Sequence, residues 1–206
     1  MLFRSQLTVA TVFKDLDCTA SPSATITGTI TGGYTPFIYQ VSTNAGAYGT
    51  STNVTGTTFV YSTITPGTYK IKITDSKGCT VETAIITVNP LVNPTATTTQ
   101  TNIICGGNNG SFNISASLGV APYSYSFNGS PIFTPTTSYS GLAAGTYSYT
   151  VKDAKSCTFT GSVTITPAVL ISGTLVQTVP YTCAGTATLE IQGATGGTAP
   201  YTYSIK

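Results

Sequence analysis

Apolar and polar residues alternate along most of this chain, and Gly, Pro, Asn or Ser interrupts the alternation roughly every eight to twelve residues. A period of two with regular turn formers predicts short strands and no helix. Strands are expected at Leu7 to Phe13, Ala24 to Thr31, Phe37 to Val41, Thr57 to Tyr61, Tyr69 to Ile73 and Val81 to Val88. A second series follows at Thr95 to Asn102, Gly110 to Ser117, Tyr123 to Phe127, Thr136 to Tyr139, Tyr147 to Val151 and Phe159 to Thr166. A third begins near Ala168 and holds three strands, the last entered at Tyr201.

The series are copies. Gly196-Gly197-Thr198-Ala199-Pro200-Tyr201-Thr202-Tyr203-Ser204 matches Gly119-Val120-Ala121-Pro122-Tyr123-Ser124-Tyr125-Ser126 and, more loosely, Gly32-Gly33-Tyr34-Thr35-Pro36-Phe37-Ile38-Tyr39. In each, glycine turns the chain, proline bars helix, and apolar side chains at every second position start a strand with one greasy face. The prolines fall at intervals of 86 and 78 residues. Ile64-x-x-Gly67-Thr68-Tyr69 recurs as Leu142-x-x-Gly145-Thr146-Tyr147, and Asp75-Ser76-Lys77-Gly78-Cys79 as Asp153-Ala154-Lys155-Ser156-Cys157, each 78 residues on. The longer first interval places an eight-residue insertion in the first copy, expected at Asn44 to Asn53. The reading is all-β: tandem, elongated immunoglobulin-like β-sandwich repeats at residues 1–90, 91–167 and a truncated 168–206. Tyr69 and Tyr147 sit where such sandwiches carry a corner tyrosine that hydrogen-bonds back across a turn.

Composition narrows the function. Eight basic residues against six acidic ones form no basic patch, which argues against nucleic acid. No apolar run approaches the roughly 20 residues that cross a bilayer, so no membrane insertion is expected in this segment. Met1 to Arg4 lacks the apolar core of a signal peptide. The composition nonetheless looks extracellular, so the chain reads as an internal piece of a larger secreted protein. Histidine is absent, which removes Ser-His-Asp and Cys-His nucleophiles and imidazole metal ligands. No catalytic residue, cofactor or metal is expected; Asp15 and Asp17 could join a calcium site, but the second copy has Asn102 and Ile104 there. Asp75 and Asp153 are expected to cap the turns they begin.

The ordered landmarks, from a cysteine through Gly-Gly-x-x-Pro-Tyr-x-Tyr-Ser, Leu-x-x-Gly-Thr-Tyr and Asp-x-x-Gly-Cys to a closing proline, resemble the SprB-type repeat of Bacteroidetes surface proteins. Phe37-Ile38-Tyr39 and Ser156 depart mildly from that pattern. The resemblance implies a very long cell-surface protein built from tandem β-sandwiches, exported by type IX secretion and akin to gliding-motility adhesins. It implies a stalk or filament segment that projects an adhesin or transmits force. Its expected partners are neighbouring repeats of the same chain, with cell-envelope motility or secretion proteins and surface polysaccharide beyond them. A rival reading is a carbohydrate- or surface-binding module, with Tyr34, Tyr48 and the first-copy insertion as the binding surface.

Five cysteines stand singly, at Cys18, Cys79, Cys105, Cys157 and Cys183, and in a secreted β-protein they suggest disulfides. Two pairings stay open. One closes each copy, Cys18 with Cys79 and Cys105 with Cys157. The other joins Cys18 to Cys157, because in an immunoglobulin-like order Cys18 and Cys79 lie at opposite ends of a sandwich, and bridged Cα atoms must approach within about 7 Å. Cys105 and Cys183 then pair beyond this sequence, and Cys79 with a preceding unit.

Overall fold

The computed structural model describes residues 6–104, 109–183, 185–197 and 199–204. In the first copy the strands are β1 (Thr8–Lys14), β2 (Ala24–Thr31), β3 (Phe37–Thr43), β4 (Thr52–Val54), β5 (Thr58–Thr63), β6 (Gly67–Thr74), β7 (Thr80–Glu82) and β8 (Ile86–Val88). They form two sheets, β1-β2-β5 and β4-β3-β6-β7, with β8 also pairing with β6. Every second residue of β2, and of β6 from Tyr69 onward, is buried, as the period of two requires. Ile26, Ile30 and Phe59 from one sheet and Phe37, Tyr69, Ile71, Ile73 and Val88 from the other share one core. Burying each large apolar side chain stabilises the sandwich by roughly 1.5–3 kcal/mol. Tyr39 stacks on Phe59 across the core, ring centroids 5.0 Å apart. Gly28 makes room for that ring: a Cβ there would lie 2.1 Å from Phe59 Cε1.

The second copy repeats the plan with β9 (Thr95–Thr101), β10 (Gly110–Ser117), β11 (Ser124–Phe127), β12 (Ser138–Leu142), β13 (Gly145–Lys152) and β14 (Thr158–Ile165). Its sheets are β12-β10-β9 and β11-β13-β14. Phe112, Ile114, Tyr125, Tyr149, Val151, Val163 and Ile165 are buried, and Phe112 stacks on Tyr139 at 5.1 Å. The third copy contributes β15 (Ser172–Val179) and β16 (Thr188–Thr195), paired antiparallel. By chain contacts, Met1–Thr95, Ser117–Tyr123 and Lys152–Phe159 form one compact unit, and Ala96–Ala116, Ser124–Val151 and Thr160–Lys206 a second. The architecture is all-β, with immunoglobulin-like sandwiches as read from the alternation.

Three details differ from the sequence expectation. The expected strand Val81 to Val88 is broken into β7 and β8. Buried Thr83 interrupts it: its hydroxyl accepts a hydrogen bond from Ile71 N (3.1 Å) while its own N–H donates to Ile71 O (2.9 Å). The equivalent β14 runs unbroken, with Gly161 at that position under Tyr149. The third strand expected after Pro200 is not formed over residues 201–204. β3 and β11, the equivalent strands of the first two copies, are held by pairing with β6 and β13. The insertion is also divided. Left-handed turns at Asn44-Ala45 and Asn128-Gly129 mark equivalent hairpin tips, and Ser42 and Ser126 each donate to the carbonyl four residues on. Pro36 to Asn44 is two residues longer than Pro122 to Asn128, so two of the extra residues lengthen β3 by one full strand period and leave its facing unchanged. The other six follow the tip and supply the edge strand β4, which pairs Thr52–Val54 with Phe37–Tyr39.

Candidate functional site

The loops that begin with paired left-handed residues are built alike in all three copies. Gly32-Gly33, Leu118-Gly119 and Gly196-Gly197 have positive φ, and each loop ends in a cis peptide before Pro36, Pro122 or Pro200. Tyr123 and Tyr201 each donate a hydroxyl bond five residues back, to Leu118 O and Gly196 O (both 2.6 Å). Phe37 has no hydroxyl and is buried in the core instead.

One buried carboxylate fastens each of the first two loops to a neighbouring turn, β6–β7 in the first copy and β13–β14 in the second. Asp75 Oδ1 accepts from Lys77 N and Cys79 N (both 2.9 Å), and its Oδ2 accepts from Tyr34 N (3.1 Å). Asp153 repeats this with Lys155 N (2.9 Å), Cys157 N (2.8 Å) and Val120 N (3.0 Å). Turn capping follows from the sequence; the long-range bonds to Tyr34 and Val120 do not, because only the folded chain brings those loops together. Burial alone pushes the Asp75 carboxyl up, but the N–H groups of Cys79, Lys77 and Tyr34 outweigh it and hold the group below its ordinary 3.8.

The β13–β14 turn receives the segment that follows β1, within the first compact unit. Cys18 and Cys157 form a disulfide, S–S 2.05 Å and Cα–Cα 4.8 Å, across a sequence separation of 139. Cys18 N donates to Lys155 O (2.8 Å), and Lys155 Nζ donates to Asp15 Oδ2 (2.7 Å). Asp15 also accepts from Asn89 N and Asn89 Nδ2 (both 3.2 Å) and from Leu16 N (2.9 Å). Burial raises the Asp15 carboxyl, and the bonds from Lys155, Asn89 and Leu16 together overcome this and leave it below 3.8. Asp17 turns to Lys14 (2.8 Å) and Thr19, which bring its carboxyl down to about 2. Both acids of the calcium reading are thus taken by protein partners, and among the described residues no three of Cys, Asp and Glu gather into a metal-sized group.

The cysteines therefore divide. Cys18 pairs with Cys157, not with Cys79; Cys79 and Cys183 are exposed free thiols, and Cys105 lies outside the described residues. Tyr69 donates to Thr65 O (2.7 Å) and Tyr147 to Ala143 O (3.0 Å), each spanning its own corner. Tyr34 and Tyr48 line two separate clefts. Tyr34 shares one of about 290 Å³ with Gln6, Leu7, Asp75 and Cys79. Tyr48 shares one of about 330 Å³ with Lys70, Glu82 and Ile85. Lys72 Nζ lies 4.4 Å from the Tyr48 ring centroid. Burial, with a bond to Glu82, pushes the Tyr48 phenol up to about 12.

Residues 97–131, running from β9 to just past the β11 hairpin tip, match the SprB repeat, a repeat family of Bacteroidetes cell-surface proteins. No curated protein matches the chain. Among solved structures, fibronectin(III)-like modules of Clostridium thermocellum CbhA are 16% identical over 79% of this chain and 94% of theirs, with a TM-score of 0.43. The C-terminal 282-residue fragment of intimin, in complex with the translocated intimin receptor's intimin-binding domain, is 13% identical over 84% of this chain and 67% of its own, at 0.41. The amphioxus IgVJ-C2 molecule is 12% identical over 65% and 90%, at 0.34.

Proposed function

We propose that this chain is a non-enzymatic, load-bearing segment of a large surface protein, a stalk of tandem repeats that projects an adhesive region or carries force to it. The observation behind this reading is the Cys18–Cys157 disulfide with its Asp15–Lys155 ion pair, which ties a turn of the first copy to a turn of the second. A covalent tie between successive copies adds nothing to a reaction, but it limits how far a pulled chain can lengthen. The repeats at 1–90, 91–167 and 168–206 are the building units, and neighbouring repeats are the first partners. The SprB match at residues 97–131 favours the bacterial cell surface as the location. Type IX export, gliding motility, and envelope motor proteins or polysaccharide as more distant partners are the finer form of the proposal.

The sugar-platform reading has less support. The Tyr48 ring, which a sugar would stack on, already carries Lys72 against it, and its hydroxyl engages Glu82.

Single-molecule stretching from the two termini tests the proposal. With the disulfide intact, the segment between Cys18 and Cys157 stays closed; a reductant should release roughly 480 Å of further contour at about 3.5 Å per residue. Equal extension with and without reductant would show that no bond joins Cys18 to Cys157 in the pulled chain, and would sink the reading.

A further inference from the structure

The β6–β7 turn of the first copy has the same construction as the turn that holds Cys18. Asp75, Lys77 and Cys79 occupy the places of Asp153, Lys155 and Cys157. Besides the matching carboxylate bonds, Asp75 N donates to Cys79 O and Asp153 N to Cys157 O (both 3.0 Å). Ser76 N reaches Tyr34 O (3.0 Å) as Ala154 N reaches Val120 O (2.8 Å). One turn is occupied: a strand-end segment with an acid three residues before a cysteine gives it an ion pair, a backbone bond and a disulfide. The other presents an exposed Cys79 thiol beside the cleft of Leu7, Gly33 and Tyr34. Lys77 Nζ stands 5.8 Å from the Tyr34 ring centroid, and among the described residues no carboxylate pairs with it.

We infer that the Asp75–Cys79 turn is a docking site for an Asp-x-x-Cys segment of another repeat, with Lys77 taking the acid and Cys79 the cysteine. The second observation, beside the thiol itself, is that the equivalent residues bind such a segment elsewhere in this molecule. The site selects by charge. Residues 15–18 carry the acid, whereas Asn102 and Pro180 stand three residues before Cys105 and Cys183. The occupant is therefore a repeat resembling the first copy. The bond forms by thiol–disulfide exchange with a low-molecular-weight disulfide as oxidant. Cys79 thiolate attacks that disulfide, expels one small thiol and releases its own proton to solvent. The incoming cysteine's thiolate then displaces the second small thiol, so two protein thiols and one small disulfide become one protein disulfide and two small thiols.

This rests on the clamp reading, and one experiment separates the two. The intact chain is treated with a blocked hexapeptide of residues 14–19 whose cysteine is activated as a mixed disulfide with thionitrobenzoate, and the products are mapped without reduction. Cys79 should couple about fivefold faster than Cys183 at low salt, as expected for one exposed ion pair. The preference should shrink at high salt. It should vanish when the peptide's first Asp is changed to Asn, or with Lys77→Gln in the protein. Equal rates at the two thiols, or a preference that survives both changes, would overturn the inference. The same map reports Cys18–Cys157. Its absence would remove the clamp itself, while its presence with no preference at Cys79 would remove the docking site alone.

Discussion

Leu118 and Ser156 hold backbone conformations that the other copies give to glycine. Leu118 has φ 57° where Gly32 and Gly196 have 77° and 76°, and Ser156 has φ 65° where Gly78 has 84°. A side chain in that region costs about 1–2 kcal/mol. Leu118 is exposed, so its side chain returns little by packing. Leu118→Gly and Ser156→Gly should each raise stability by about 1 kcal/mol in urea unfolding, a gain partly offset by the added freedom of the unfolded chain. The corner tyrosines give the opposite sign. Tyr69→Phe leaves Thr65 O without its 2.7 Å donor and should lower stability by about 1 kcal/mol in the same assay. These tyrosines were legible because Gly-x-Tyr is a local pattern. The tie from Asp75 to Tyr34 was not, since 41 residues separate them and nothing in the sequence marks which backbone N–H the second oxygen will meet.

Strand β2 and strand β10 have the bounds read from the alternation, because both are central and half buried; Gly28 lies inside β2 beneath the Phe59 ring without interrupting it. The break between β7 and β8 was not readable. Thr83 fits the alternation as well as any strand residue, and only a neighbour across the sheet decides whether its hydroxyl turns inward. Ile71 is short enough to leave room for Thr83; Tyr149 is not, and a Cβ at Gly161 would lie 2.5 Å from its hydroxyl oxygen. The two pairs are thus matched solutions to one packing problem. Thr83→Val keeps the shape but leaves buried Ile71 N without an acceptor, and should cost about 1–3 kcal/mol. Gly161→Ala should cost a similar amount through overpacking. Exchanging both members, Gly161→Thr with Tyr149→Ile, should recover much of the loss, which a double-mutant comparison of denaturation midpoints would measure.

For the molecule as a whole, pH and redox state are the two controls. Asp15 and Asp75 have folded values below the ordinary 3.8. Their contribution is therefore complete above about pH 5 and is lost as pH falls through the ordinary and then the lower folded values. Thermal midpoints should hold steady from pH 7 to 5 and drop toward pH 2, and Asp15→Asn should flatten part of that drop. Cys157→Ser removes a cross-link over a 139-residue separation, worth about 5 kcal/mol in the chain-entropy account, and should lower the denaturation midpoint of the first unit. Strand order could argue for this pairing from sequence but could not choose it, because the choice depends on which turn of the second copy meets Cys18. The same separation bears on synthesis. As the chain emerges from the ribosome or an export channel, Cys79 becomes available long before Cys157, at less than half the distance along the chain, and loop closure favours it about threefold. An early wrong bond is thus the statistically favoured first product. Wherever the chain meets an oxidant before it has folded, correct pairing then requires that Cys18 stay reduced until Cys157 arrives, or that an isomerase correct the mistake afterwards.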